Sequence, residues 1–492
     1  MTRSDFRQAA PRCTARGQSN RDFARDRLRH SLAHSSSQAA IEIRYQILKQ
    51  EAENGPNLRG VTALSDFKRF MASDAGASAR YQSRRRRRLH ISIKDIEPQS
   101  KKMSPTDRGA FQTAIADHLT SIKRSTFRGD VALKLDLATA GKSPPHAHTI
   151  AKNFLDLLGD RMTGVDWPKK NLLYANDSQV QALSVSCRHG EDRPSIRIEA
   201  RPFADMLDDL ELAGRALQAA ESMVSHYEQE REGEWVDTFR DLIRDEKAQR
   251  EALGDKTYEA YREVVRWSAQ RALLGRSGVD IPVLGWMYGL PRGLPTGFEK
   301  GMWAGLVGES KLRLQVGELP IASGGSSEFK KNVADEIAAF KKRWDWIISP
   351  LVVAVALEVV VRPNPKTPPA VLHDLDNIVR DYLIPDIVPA FGTVSDQRWT
   401  IDFAELRERD PKLADAWGPN PTPPAGTRQG VTRYEVWRLP AVEGEPGFVS
   451  VALVADIDAK GDLMQQMDDH IDKWWDNLSD DGRHPWRRRR RR

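Results

Sequence analysis

The 492-residue chain holds two cysteines, Cys13 and Cys187, too few for a disulfide framework or a cysteine-rich zinc module. Its longest apolar run, 351–361, is interrupted by Glu358. That run is too short to span a bilayer and reads as a buried strand. No apolar segment of the secretory type opens the sequence, so the expected location is cytoplasmic. There is no Walker loop, Rossmann fingerprint, Gly-x-Ser-x-Gly elbow or His-Glu-x-x-His motif. These absences remove the local signatures of P-loop, dinucleotide-binding, serine-hydrolase and zinc-protease chemistry. What remains is 40% hydrophobic and 29% charged, enough to bury a sizeable core. At roughly 100–200 residues per domain, this length suggests two to four units.

Negative charge is scarce at the ends. Residues 1–88 carry 19 Lys/Arg against 8 Asp/Glu, and Arg487–Arg492 adds six more positive charges. The net +6 therefore leaves −11 over 89–486. Arginine-rich ends suit a polyanion such as nucleic acid. A solvated tail or a targeting sequence has the same composition, and composition alone does not choose between them. Arg84, Arg85, Arg86, Arg87 and Arg88 form the most concentrated basic run outside the tail and are the DNA-binding candidates. Residues 1–37 lack a sustained apolar period and read as disordered, with short helices at 39–50 and 64–71.

The middle of the chain, 204–275, has apolar residues at helical spacing and no proline, which predicts two or three amphipathic helices. Its two flanks repeat one order of elements: strand, loop, helix, strand, proline-rich loop, helix, then two strands. The first copy runs from LHISI at 89–93 through VALKLDL at 131–137 to HAHTIAKNFLDLL at 146–158. The second runs from LRLQV at 312–316 through LVVAVALEVVV at 351–361 to DLDNIVRDYLIPDI at 374–387. Both copies then place an Asp and a Gln close together, NDSQV at 176–180 and SDQRW at 395–399.

In copy two, Asp374 and Asp376 precede a short helix that Asn377 is suited to cap and Pro385 to interrupt. Asp396 follows. Three carboxylates converging there can bind Mg²⁺, and Arg380 can hold a phosphate but cannot act as a base. The same spacing also suits helix capping, dipole compensation and an ordinary Asp376–Arg380 surface pair.

These motifs resemble the RusA family of Holliday junction resolvases. The family signature is Asp-x-Asp-Asn, a lysine three residues later, then an Asp-Asp-x-Gln-Val run. Copy two matches the first motif as His373-Asp-Leu-Asp-Asn377, with Arg380 at the lysine position and one aspartate, Asp396, kept in the second motif. Copy one keeps the second motif in Tyr174-Ala-Asn-Asp-Ser-Gln-Val180 and the lysine as Lys152, but His146 and His148 replace the leading aspartates. The resemblance implies an α+β protein of two tandem RusA-like α/β units joined by a helical segment, with basic disordered ends. The implied layout is an arm at 1–88, units at 89–203 and 311–459, a connector at 204–310, and a C-terminal helix and tail at 460–492.

The resemblance further implies a Mg²⁺-dependent endonuclease acting on branched DNA in recombination or repair. Its catalytic residues would be Asp374, Asp376, Asp396 and Arg380, the three aspartates being the metal ligands. Asp177, Lys152, His146 and His148 would form a second or vestigial site. Imidazoles suit Zn, Ni or Cu better than Mg²⁺, so copy one is expected to be impaired in cutting and either to hold DNA or to bind a transition metal. The partners implied are branched or duplex DNA and no membrane. The two copies would form a pseudo-dimer within one chain, and two chains a homodimer. One intact centre leaves three outcomes: two chains assemble, the protein nicks, or it binds branched or duplex DNA without cutting. Nothing in the sequence chooses among them.

Overall fold

The computed structural model describes residues 73–141, 146–221, 226–292, 307–308, 310–321, 326–391, 398–399, 427–428, 430–456 and 461–480. The expected short helices at 39–50 and 64–71, Asp396 and the arginine tail lie outside them. The chain divides into two compact units, residues 1–87 with 478–492, and Arg88–Asn477. In the first unit the described part of the basic arm is helix α1, Asp74–Arg87, where the sequence predicted disorder.

The larger unit is α+β, built on one mixed eight-stranded sheet. From the first repeat come β1 (Leu89–Lys94), β2 (Val131–Thr139), β3 (Val180–His189) and β4 (Ser195–Pro202). The second contributes β5 (Arg313–Gly317), β6 (Ala354–Arg362), β9 (Gly430–Arg438) and β10 (Phe448–Ala455). A two-residue ladder, β7 (Arg398–Trp399) with β8 (Thr427–Arg428), stands apart from the sheet. The order across the sheet is β1-β4-β2-β3-β9-β6-β10-β5. Segments 89–203 and 311–459 therefore supply four strands each to a common sheet, and the connector belongs to the same compact unit.

The two halves are related by an approximate two-fold. In each half the inner pair of strands is parallel and carries one register shift, between Val131 and Ala132 in the first and between Val355 and Ala356 in the second. The central pair, β3 and β9, is antiparallel. Ser184 faces Glu435 at its middle, Leu183 faces Val436 on one side and Val185 faces Tyr434 on the other. Alternation along the strands sorts the faces. Leu133, Leu135, Leu183, Val185, Leu357, Val359, Tyr434 and Val436 share one core with the helices α2 (Pro105–Ser121), α3 (Ala147–Gly159) and α9 (Ser326–Ile348). Helix α2 begins where Ser104 accepts a bond from Asp107 N at 3.1 Å and Pro105 takes the first turn, where a missing N–H is harmless.

The connector contains more helices than the sequence predicted. They are α4 (Phe203–Glu221), α5 (His226–Arg244), α6 (Glu246–Leu253), α7 (Asp255–Gly275) and the short α8 (Ile281–Met287). The sequence pattern read through Gly254, whose φ of +79° ends α6 and starts α7. Such a conformation suits a residue without Cβ. After residue 460, α12 (Leu463–Asp480) closes the unit.

The second face of the sheet is polar, and this was not visible in the strand patterns. One register row runs His90, Glu199, Lys134, Ser184, Glu435, Glu358, Ala452, Arg313 from edge to edge. Its central members are buried or half-buried, and the charged ones are paired. Lys134 meets Asp462 at 2.8 Å, Ser184 donates to Asp462 at 2.8 Å, and Arg313 meets Glu358 at 2.7 Å. Burial raises the Glu358 carboxyl above the ordinary range, with Arg313 opposing. Arg313→Met leaves Glu358 buried with only the Val279 N–H. It is expected to lower unfolding stability by about 3–5 kcal/mol. Arg313→Met/Glu358→Leu should recover much of that loss in urea titrations, since it removes both charges.

Candidate metal centre

Each half delivers a loop and a helix start to the centre of the apolar face. In the second half the loop after β6 ends at Asp374, the N-cap of the one-turn α10 (Leu375–Asn377). The chain then forms a π-turn at Ile378–Leu383 before α11 (Ile384–Phe391). Pro385 interrupts the regular α pattern, as the sequence suggested, but the helical stretch resumes through it. It has no N–H for the Asp381 carbonyl, and the wider turn lies immediately before it. Buried Ile378, Val379, Leu383 and Ile387 anchor this stretch to the core. In the first half, Asp177 opens a single 3₁₀ turn, Asp177–Gln179. Asn176 Oδ1 accepts from Ser178 N at 2.9 Å, and Gln179 Oε1 accepts from Asn176 N at 3.1 Å. This reciprocal cap fixes the backbone at Asp177.

The pairing of β3 with β9 brings these elements together. Asp177, Asp374 and Asp376 present carboxylate oxygens that all lie within 4.8 Å of one another. Lys152, from α3, stands between them: its Nζ is 3.1 Å from Asp177 Oδ2, 3.4 Å from Asp376 Oδ2 and 3.2 Å from Asp156 Oδ1. The site thus mixes residues that the sequence reading assigned to separate copies. Asp177 and Lys152, placed there in a second or vestigial site, join Asp374 and Asp376. The signal was present: copy one kept the second motif and copy two the first, as expected if one site draws on both.

Other candidates separate from the cluster. Asp396 lies outside the described residues. Arg380 does not pair with Asp376 at i, i+4. Its Nε and Nη2 bond Asp381 Oδ1 and Oδ2 at 2.6 and 2.7 Å. Asn377 is not the cap, since Asp374 holds that backbone position without a side-chain capping bond and accepts instead from Asn377 Nδ2 at 3.1 Å. His146 is the N-cap of α3, and its ring stacks on His148 with centroids 5.6 Å apart. Of the arginine run, Arg85, Arg86 and Arg87 are exposed, whereas Arg84 and Arg88 are buried. Arg88 turns inward: it pairs with Asp468, and with Asp209 at 3.0 Å, because its place before β1 points it into the unit.

The electrostatics are those of crowded carboxylates around Lys152, with Arg438 also acting on Asp374 and Arg380 on Asp376. Burial, then the charges of Asp177 and Asp376, push Asp374 up to about 6, with Lys152 opposing. Burial also raises Asp376, countered first by Lys152. For Lys152 burial works to lower the ammonium, but Asp376, Asp177 and Asp156 outweigh it and the net shift is upward. Asp376 is buried, yet its Oδ2 accepts no hydrogen bond of good geometry; the lysine contact at 3.4 Å is an ion pair only. Asn377 Oδ1 beside it is likewise buried without a donor. Unsatisfied anionic oxygen in an all-oxygen set suits a hard divalent cation such as Mg²⁺, Mn²⁺ or Ca²⁺.

Asp374 sets a pH window. Its folded value, about 6, lies above the ordinary 3.8. The folded state therefore holds the proton more tightly, and without metal, stability falls as pH rises through that interval and then levels. Cation binding needs the proton gone. Mn²⁺ affinity, read by calorimetry, is expected to rise below about pH 6 by roughly tenfold per pH unit for each proton displaced, then to flatten.

No family model, curated protein or solved structure matches the chain. Among the described residues, no helix is long and apolar enough to cross a membrane.

Proposed function

We propose that the protein is a divalent-metal-dependent, structure-selective DNA endonuclease that hydrolyses a phosphodiester at branched DNA. The observation that carries this reading is the convergence of Asp177, Asp374 and Asp376, from both repeats, around Lys152. A divalent ion held by the three carboxylates would supply Lewis-acid polarisation of the phosphodiester and charge neutralisation during displacement, Mg²⁺ being the physiological choice. Lys152 would hold the substrate phosphate and offset the carboxylates' repulsion of it. Asp374 ionises near neutral pH, so the site is competent where DNA is handled. The exposed Arg85–Arg87 and the basic ends of the sequence support a polyanionic partner and would hold any DNA without regard to sequence. The motif order resembling RusA resolvases supports branched DNA over plain duplex.

The test is Mg²⁺-dependent cutting of a labelled four-way junction beside a linear duplex of matching sequence. Wild type should cut the junction, and Asp374→Asn/Asp376→Asn should bind it without cutting. The second reading, a DNA-binding protein that does not cut, draws on the loss of the leading aspartates to His146 and His148. Tight junction binding without cutting by either protein would establish it instead.

A further inference from the structure

The two-fold of the sheet pairs the carboxylate cluster with a second place in the molecule. Backbone geometry identifies it. His146 caps α3 at φ −61°, ψ 148°, and Asp374 caps α10 at φ −63°, ψ 147°. Two residues on, His148 stands where the other half has Asp376. Six residues after each cap comes a cation, Lys152 in one half and Arg380 in the other. The strand registers, including the duplicated shift, carry one half onto the other with Ser184 and Glu435 at the centre. The equivalent of the carboxylate centre is thus a cleft lined by His146, His148, His189, Arg433 and Tyr434.

That place has a different chemistry. Its two leading carboxylates are imidazoles. Burial first, then the charges of His146 and Arg380, lower His148 to about 4, so it is neutral at physiological pH. Neutral imidazole neither supplies the negative charge that a hard cation needs nor matches its preference for oxygen. Arg380 is engaged by both oxygens of Asp381, whereas Lys152 lies among three carboxylates. Among the described residues, no other three His, Cys, Asp or Glu side chains bring ligand atoms within 4.8 Å.

We propose that the chain has one hard-metal cutting centre per pseudo-dimer and is therefore a nicking enzyme for branched DNA, not one that makes paired cuts. This rests on the endonuclease reading above. At the carboxylate centre water adds across one P–O bond. The phosphorus keeps the new oxygen, the leaving oxygen takes a proton, and one strand ends in a phosphate monoester and a hydroxyl. The opposing strand, at the His146/His148 half, stays continuous.

The experiment uses the full chain and a supercoiled plasmid that extrudes a cruciform. A single nick releases the supercoiling and the cruciform is reabsorbed, leaving a nicked circle. Paired cuts within one encounter give linear plasmid. The expected product is nicked circle, with one Mn²⁺ bound per chain by electron paramagnetic resonance and none in Asp374→Asn/Asp376→Asn. Linear plasmid, whether from a second ion per chain or from assembly of two chains, overturns the single-nick proposal and leaves the endonuclease reading standing. An uncut plasmid with Mg²⁺ or Mn²⁺ overturns both. Equal nicking of a plasmid without the inverted repeat overturns branch selectivity and both readings with it.

Discussion

Asp177→Asn is expected to abolish metal-dependent junction cutting as fully as Asp376→Asn, by about 10²–10³-fold, the scale of losing one preorganised charge-stabilising group. The expectation is specific to the tertiary arrangement. Asp177 belongs to the repeat that has lost its leading aspartates, and two independently working repeats would make its removal silent. In the folded chain its oxygens lie within 4.8 Å of those of Asp374 and Asp376. Removing one of three oxygen ligands weakens a hard cation's hold while reducing repulsion of DNA phosphates. Junction affinity should therefore be unchanged or higher. Single-turnover cutting with protein in excess measures the first quantity, and a binding titration in Ca²⁺ the second. Undiminished cutting by Asp177→Asn would show that the third ligand comes from elsewhere.

Lys152→Met separates two roles that most substitutions lose together. An ammonium 3.1–3.4 Å from Asp177 and Asp376 competes with a metal for the same oxygens. Its removal is expected to tighten Mg²⁺ binding several-fold at about pH 8, where the carboxylates are ionised. Cutting at saturating Mg²⁺ should nevertheless fall by about 10²-fold, because the substrate phosphate loses its cation. Below neutrality the variant should bind Mg²⁺ less well, since Lys152 no longer favours the ionised forms of Asp374 and Asp376. A variant that binds Mg²⁺ more weakly at pH 8 and cuts poorly would assign Lys152 a purely structural role in keeping the carboxylates in place.

Much of the local structure was legible because it depends on local periodicity. The alternation in 131–137 and the apolar run in 351–361, with Glu358 inside it, became β2 and β6. The spacing of Phe329, Val333, Ile337 and Phe340 became the buried face of α9. Asp-x-Asp-Asn before a helix identified two of the three clustered carboxylates. Misreadings arose where a local signal had a global answer. Pro385 reads as an interruption of a short helix, yet the helical stretch continues to Phe391 with Ile387 buried in the core. The arginine run reads as five DNA-binding candidates, yet Arg88 is held by Asp209 and Asp468, far away in sequence.

The repeat itself, the order of its elements and the replacement of Asp by His at 146 and 148 were determined by the sequence alone. They are properties of composition and spacing, and no fold alters them. Which residues work together was decided only by the tertiary structure. The antiparallel pairing of β3 with β9 joins strands some 250 residues apart and merges the two repeats into one sheet. It carries Asp177 and Lys152 of one half to Asp374 and Asp376 of the other. The physical reason is that the apolar faces of both halves are buried in a single core. That shared burial, and not any local preference at the site, holds like-charged carboxylates within ligand distance of one another.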